Sequence, residues 1–104
     1  MRIVFVTCPP DTGAALLRTL VEERLVAGGN LVPGVRSVYR WQDQIYDEPE
    51  EILWMETAAD RVDALLARIP ELHPYEVPKI LTFTPAEGLP AYLAWVVAET
   101  RAAP

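Results

Sequence analysis

The sequence predicts an α+β domain, a single four-stranded antiparallel sheet with helices on one face, in the order β-α-β-β-α-β plus a terminal helix. Two observations carry that expectation. Short runs rich in β-branched and aromatic residues alternate with stretches of helical apolar spacing, and proline or glycine punctuates the joints. No linker, repeat or low-complexity tract interrupts the series, and 104 residues at 51% apolar and 23% charged leave room for one core. Residues 1–104 therefore read as a single domain with the split βαβ pattern of ferredoxin-like folds.

Ile3 to Thr7 is β-branched or aromatic and stops at Pro9-Pro10, which predicts a central strand buried on both faces. Asp11 is the expected N-cap of a first helix whose Leu17, Leu20, Val21 and Leu25 share a face and whose C-cap falls at Gly28-Gly29. Leu31 to Trp41 predicts a long strand, with a bend or bulge at Pro33-Gly34 and with Val35, Ser37, Tyr39 and Trp41 on one pleat face. Gln42-Asp43-Gln44 offers a turn, and the chain returns through Ile45-Tyr46 into Ile52–Thr57 to complete an extended hairpin. Val62, Leu65, Leu66 and Ile69 fall on one helical face, with the helix expected to end before Pro70. Lys79 to Thr84 reads as a short strand, and Gly88 and Pro90 introduce a helix carrying Tyr92, Leu93, Val96 and Val97.

Fifteen carboxylates against nine basic groups give a net charge of −6, the wrong sign for binding a phosphate backbone, so no nucleic-acid partner is expected. No run approaches the ~20 apolar residues of a membrane span. The first apolar run is too short for a secretory signal, and the expected location is the cytoplasm. The single cysteine, Cys8, closes no intrachain disulfide, and with the single histidine, His73, it cannot complete a four-coordinate structural zinc site. Tyr39, Trp41, Tyr46 and Trp54 lie on a hairpin too long for so small a domain to cover, which predicts a homo-oligomer.

Thr7-Cys8-Pro9, Leu20–Leu25, Asn30–Gly34, Ser37–Trp41, Leu72-His73-Pro74-Tyr75 and Tyr92–Trp95 occur in an order that resembles the CutA family of divalent-cation tolerance proteins, from about Ile3 to Trp95. The resemblance implies a tight homotrimer of ferredoxin-like domains with the architecture of PII signalling proteins. It also implies a part in the response to metal ions, including copper. Where relatives carry a cysteine this chain has Gly28, and where they carry Lys-Thr and Pro-Glu it has Glu56-Thr57 and Pro78-Lys79. That double charge inversion predicts an ion pair between Glu56 and Lys79, within or between subunits.

The expected site is an inter-subunit cleft containing Tyr39, Trp41, Glu56, Tyr75, Lys79 and Trp95, with His73 as its metal ligand. Neutral imidazole suits copper or zinc. The competing reading of His73 is a loop histidine whose ring organises the turn before the last strand. Cys8 reads as a buried small hydrophobe rather than a reactive thiol, Asp47–Glu51 as a solvated hairpin segment rather than a cation loop, and Lys79 as a charge partner rather than a Schiff-base amine. No nucleophile elbow, phosphate loop, zinc-protease motif or dinucleotide fingerprint is present, so no enzyme activity and no obligatory cofactor are expected. Three functions remain: a trimeric metal-responsive protein, a PII-like module binding a small effector in the same clefts, and a scaffold docking partner proteins.

Overall fold

In the computed structural model, which describes residues 1–101, strand β1 (Arg2–Cys8) lies between β3 (Gln44–Thr57) and β4 (Ile80–Phe83), while β2 (Gly28–Trp41) pairs with β3. All pairings are antiparallel and the order is β2-β3-β1-β4, as the element order predicts. Strand alternation divides the residues of the sheet. Val4, Val6 and Cys8 of β1 and Leu53 and Met55 of β3 point to one face, where α1 (Gly13–Glu22) and α2 (Val62–Leu72) supply Leu16, Leu20, Leu65 and Ile69 to the core. Ile3 and Phe5 point to the second face and are only half-buried. The expected burial of β1 on both faces is thus met on one. At one end of the second face, α3 (Pro90–Glu99) brings Tyr92 and Trp95 over Glu56 and Gly28.

Several boundaries differ from the sequence expectation. Asp11 does not cap α1: it sits at φ 66°, and Thr12 precedes the helix with its hydroxyl donating to the Pro9 carbonyl at 2.6 Å. Nor does Gly28-Gly29 end the helix. The turn is made by Arg24 at φ 59°, and the following Leu25 N–H reaches back to the Leu20 carbonyl. Both glycines open β2 instead, because a Cβ on Gly29 would stand 2.7 Å from Met55 Cγ and 2.8 Å from the Trp54 carbonyl. Helix α2 runs past Pro70 to Leu72. Proline removes one N–H and crowds the carbonyl one turn earlier, but so close to the helix end the burial of Ile69 and the packing of Leu72 on the core outweigh that loss. Leu66, expected on the buried face, is exposed.

The hairpin is as expected in outline. A register shift between Val32 and Val35 coincides with Gly34 at φ 70°, the bulge foreseen at Pro33-Gly34. Gln42 and Asp43, both at positive φ, make the two-residue turn whose twist suits a hairpin. Beyond it β3 is one continuous strand, so Ile45-Tyr46 and Ile52–Thr57 belong to the same element.

Candidate functional site

The loop that follows α2 is pinned by one imidazole. His73 is buried; its Nε2–H donates to the Thr7 carbonyl at 2.7 Å, and its Nδ1 accepts the Tyr75 N–H at 3.1 Å. The backbone donor at Nδ1 and the carbonyl at Nε2 together fix the tautomer. The loop-organising reading of His73 is therefore visible in its geometry. A metal could take Nδ1 only by displacing the Tyr75 N–H. Among the described residues no three His, Cys, Asp or Glu side chains converge as a ligand group.

Held this way, Tyr75 reaches across to β3 and its hydroxyl donates to Glu50 Oε2 at 2.8 Å. Burial first, then that bond to Glu50, drives the Tyr75 phenol well above its ordinary range. Between loop and hairpin lies a cleft of about 510 Å³, bordered by Thr7, Arg36, Ser37, Tyr39, Trp41, Glu50, Tyr75, Glu76, Val77 and Lys79 among others. Tyr39 stacks on its cross-strand partner Tyr46, centroids 5.3 Å apart, and donates to Glu48 Oε2 at 3.1 Å. Arg36 grips Asp47 with two bonds, at 2.8 and 2.6 Å. That contact holds the Asp47 carboxyl below its usual range.

Tyr39, Trp41, Tyr75 and Lys79 thus border one cleft within the chain, and His73 lies beneath its loop. Glu56 and Trp95 do not join them within the chain. Strands β3 and β4 both run antiparallel to β1 and hence parallel to each other, so the end of β3 and the start of β4 lie at opposite ends of the sheet. Glu56 faces Ile3, as does Phe83 at the far end of β4. The expected ion pair is absent from the chain: Glu56 Oε1 accepts the Tyr92 hydroxyl at 2.7 Å, and Lys79 Nζ lies 5.3 Å from the Phe5 ring centroid. Lys79 makes no ion pair among the described residues of the chain.

The acidic stretch departs furthest from expectation. Glu50 and Glu51 are buried, not solvated. Glu51 Oε1 accepts the Gly13 N–H at 2.9 Å and so serves one of the unpaired donors at the start of α1. Glu50, on the opposite pleat face, turns into the cleft. Composition marked this stretch as polar, and only its strand register, which sets Glu50 opposite Val35, reveals that its residues alternate between core and cleft. Cys8 is fully buried as expected, and burial pushes its thiol up.

A model of the CutA1 divalent ion tolerance protein family matches residues 2–99. The divalent-cation tolerance protein CutA of Thermus thermophilus is 40% identical over 95 residues, covering 90% of this chain and 92% of that protein. Its solved structure superposes with a TM-score of 0.92 at 38% identity, over 97% of this chain and all of that one. A structure described as the PII-like protein CutA from Nostoc sp. PCC 7120, in apo form, gives a TM-score of 0.92 at 36% identity over 99% of this chain and 100% of the other. The Protein CutA homolog of Xenopus laevis is 38% identical over 93 residues; the match takes in 88% of this chain and 62% of that longer protein. The chain belongs to the CutA1 divalent ion tolerance family.

Proposed function

We propose that the protein is a non-catalytic homotrimer that works in the cytoplasm in the response to divalent cations, and that the cleft edge takes up copper or zinc through His73 with carboxylate help. The observation that carries the assembly is the second face of the sheet. Val32, Trp54, Leu81 and Phe83 are each between 42% and 48% exposed there, and Trp41 stands out at the hairpin tip. So much aromatic and aliphatic surface on one side of a small domain suits burial against further copies. Light scattering at low micromolar concentration tests this, with a trimer expected and a monomer overturning it.

For metal, the family name and the Thermus relative support the reading, and the His73 geometry bears on affinity. The Nδ1 lone pair is spent on the Tyr75 N–H, and the position where relatives carry cysteine is Gly28, so modest affinity for Cu(II) or Zn(II) rather than Cu(I) is expected. Calorimetric titration of His73→Ala should register weaker binding without loss of the trimer. Unchanged copper binding in that variant rejects the ligand assignment. A second reading, a small effector in the cleft, is favoured by the aromatic lining and by the PII-like description of the Nostoc relative. A thermal-shift screen of nucleotides and metabolites tests it, since a ligand of the folded state raises the melting point.

A further inference from the structure

The cleft holds two unmatched charges of opposite sign, and we infer that it takes a small zwitterion, a ligand carrying both an ammonium and a carboxylate, as a free amino acid does. The inference rests on the effector-binding reading and names the class of ligand.

Glu50 is only 4% exposed, and its Oε2 is occupied by the Tyr75 hydroxyl. No described residue donates to its Oε1, although the side chain borders the cleft. That oxygen opens on the cleft, where an ammonium answers it with a charge-assisted hydrogen bond. Of the two cations bordering the cleft, Arg36 is committed to Asp47 by two bonds. Lys79 meets no carboxylate among the described residues and rests its ammonium against the Phe5 ring.

The two charged residues border one and the same cleft. Glu50 is on β3 and Lys79 adjoins β4, two strands that flank β1, so their backbones stand roughly two strand spacings, about 10 Å, apart. A molecule lodged between them has one charge of each sign at its border. The walls agree with a cationic group beside Glu50. Tyr39 and Tyr75 border the cleft and spend their hydroxyl protons on Glu48 and Glu50, so neither hydroxyl is a free donor that would favour an anion there. A ligand with a positive charge alone is repelled by Lys79, and one with a negative charge alone by Glu50. The volume of about 510 Å³ is ample for such a molecule and its side chain.

The test is calorimetric titration of the full chain with L-phenylalanine, with its N-acetyl derivative, which lacks the cation, and with its amide, which lacks the carboxylate. Phenylalanine should bind, with each derivative weaker by about tenfold or more. Glu50→Gln and Lys79→Met should each weaken phenylalanine by a similar factor while solution mass and melting point are kept. Should Glu50→Gln fold poorly, Lys79→Met, at an exposed side chain, carries the test. Equal binding of either derivative, or full binding by Lys79→Met, overturns the inference. Silence from all three probes also overturns it, whereas the effector reading falls only if the nucleotide and metabolite screen is silent too.

Discussion

Glu50 and Glu56 lie on the same strand and the same pleat face, both buried, and each accepts a tyrosine hydroxyl, yet their second oxygens differ. That of Glu50 borders an open cleft, whereas Glu56 Oε2 is buried without a hydrogen-bond partner among the described residues. The difference arises from what covers each end of the sheet. A loop pinned by His73 leaves space beside Glu50, while α3 closes over Glu56 with Tyr92 and Trp95. An open carboxylate can be solvated or can bind a ligand; a closed one has only the protein to satisfy it.

The largest effect should come from removing the hydroxyl at the closed end. Tyr92→Phe takes away the one donor to Glu56 among the described residues and should cost about 2–3 kcal/mol, against about 1 kcal/mol for Tyr75→Phe, where Glu50 has the cleft to turn to. Urea unfolding of the two variants measures the gap, and equal losses would erase the distinction. Glu56→Met in the Tyr92→Phe background should recover much of the loss, because replacing a buried carboxylate is cheaper than stripping its partner.

The two glycines that open β2 sharpen the picture of the closed end. Gly29→Ala should lose roughly 2 kcal/mol, since its Cβ meets Met55, the Trp54 carbonyl and Leu17 at 3.0 Å or less. Gly28→Ala should stay within about 0.5 kcal/mol, its nearest neighbour being the Trp95 ring at 3.7 Å. Thermal unfolding of the pair distinguishes a tightly closed end from one that adapts.

Alkaline titration acts on both phenols. The hydrogen bond to Glu56, then burial, pushes Tyr92 up to about 12 from an ordinary value of 10. The unfolded chain therefore gives up that proton first, and the contribution to stability, full below pH 10, is lost as pH rises toward 12. Tyr92→Phe should flatten the fall in melting temperature over that interval. Tyr75→Phe should flatten it at least as much, because burial and the bond to Glu50 raise that phenol above its ordinary range as well; a fall left unchanged in either variant would contradict the assignment. Smallest of all should be Arg36→Ala at the rim of the cleft. Its contact with Asp47 is exposed and screened by salt, so the melting point should not move beyond experimental scatter.

Much of this molecule was legible in local pattern. The β-branched run of β1, the bulge at Pro33-Gly34, the turn at Gln42-Asp43, Pro90 at the start of α3 and the α+β class with its strand order follow from periodicity and from residues with restricted backbone angles. The grouping of Tyr39, Trp41, Tyr75 and Lys79 came from the family resemblance instead, and within the chain hairpin and loop bring the four to one cleft. Tertiary structure decided what depended on distance across the sheet. Glu56 and Lys79, paired in sequence logic by opposite charge, are parted within the chain because two strands that each oppose β1 run parallel to one another. Gly28-Gly29 looked like a helix cap, but the need for backbone to approach Met55 and Trp54 put both in a strand. Glu50 and Glu51 read as solvated from composition alone, because a carboxylate's partners, here Tyr75 and the Gly13 N–H, lie 25 and 38 residues away along the chain. Periodicity records which side a residue faces, and only the folded chain supplies what it meets there.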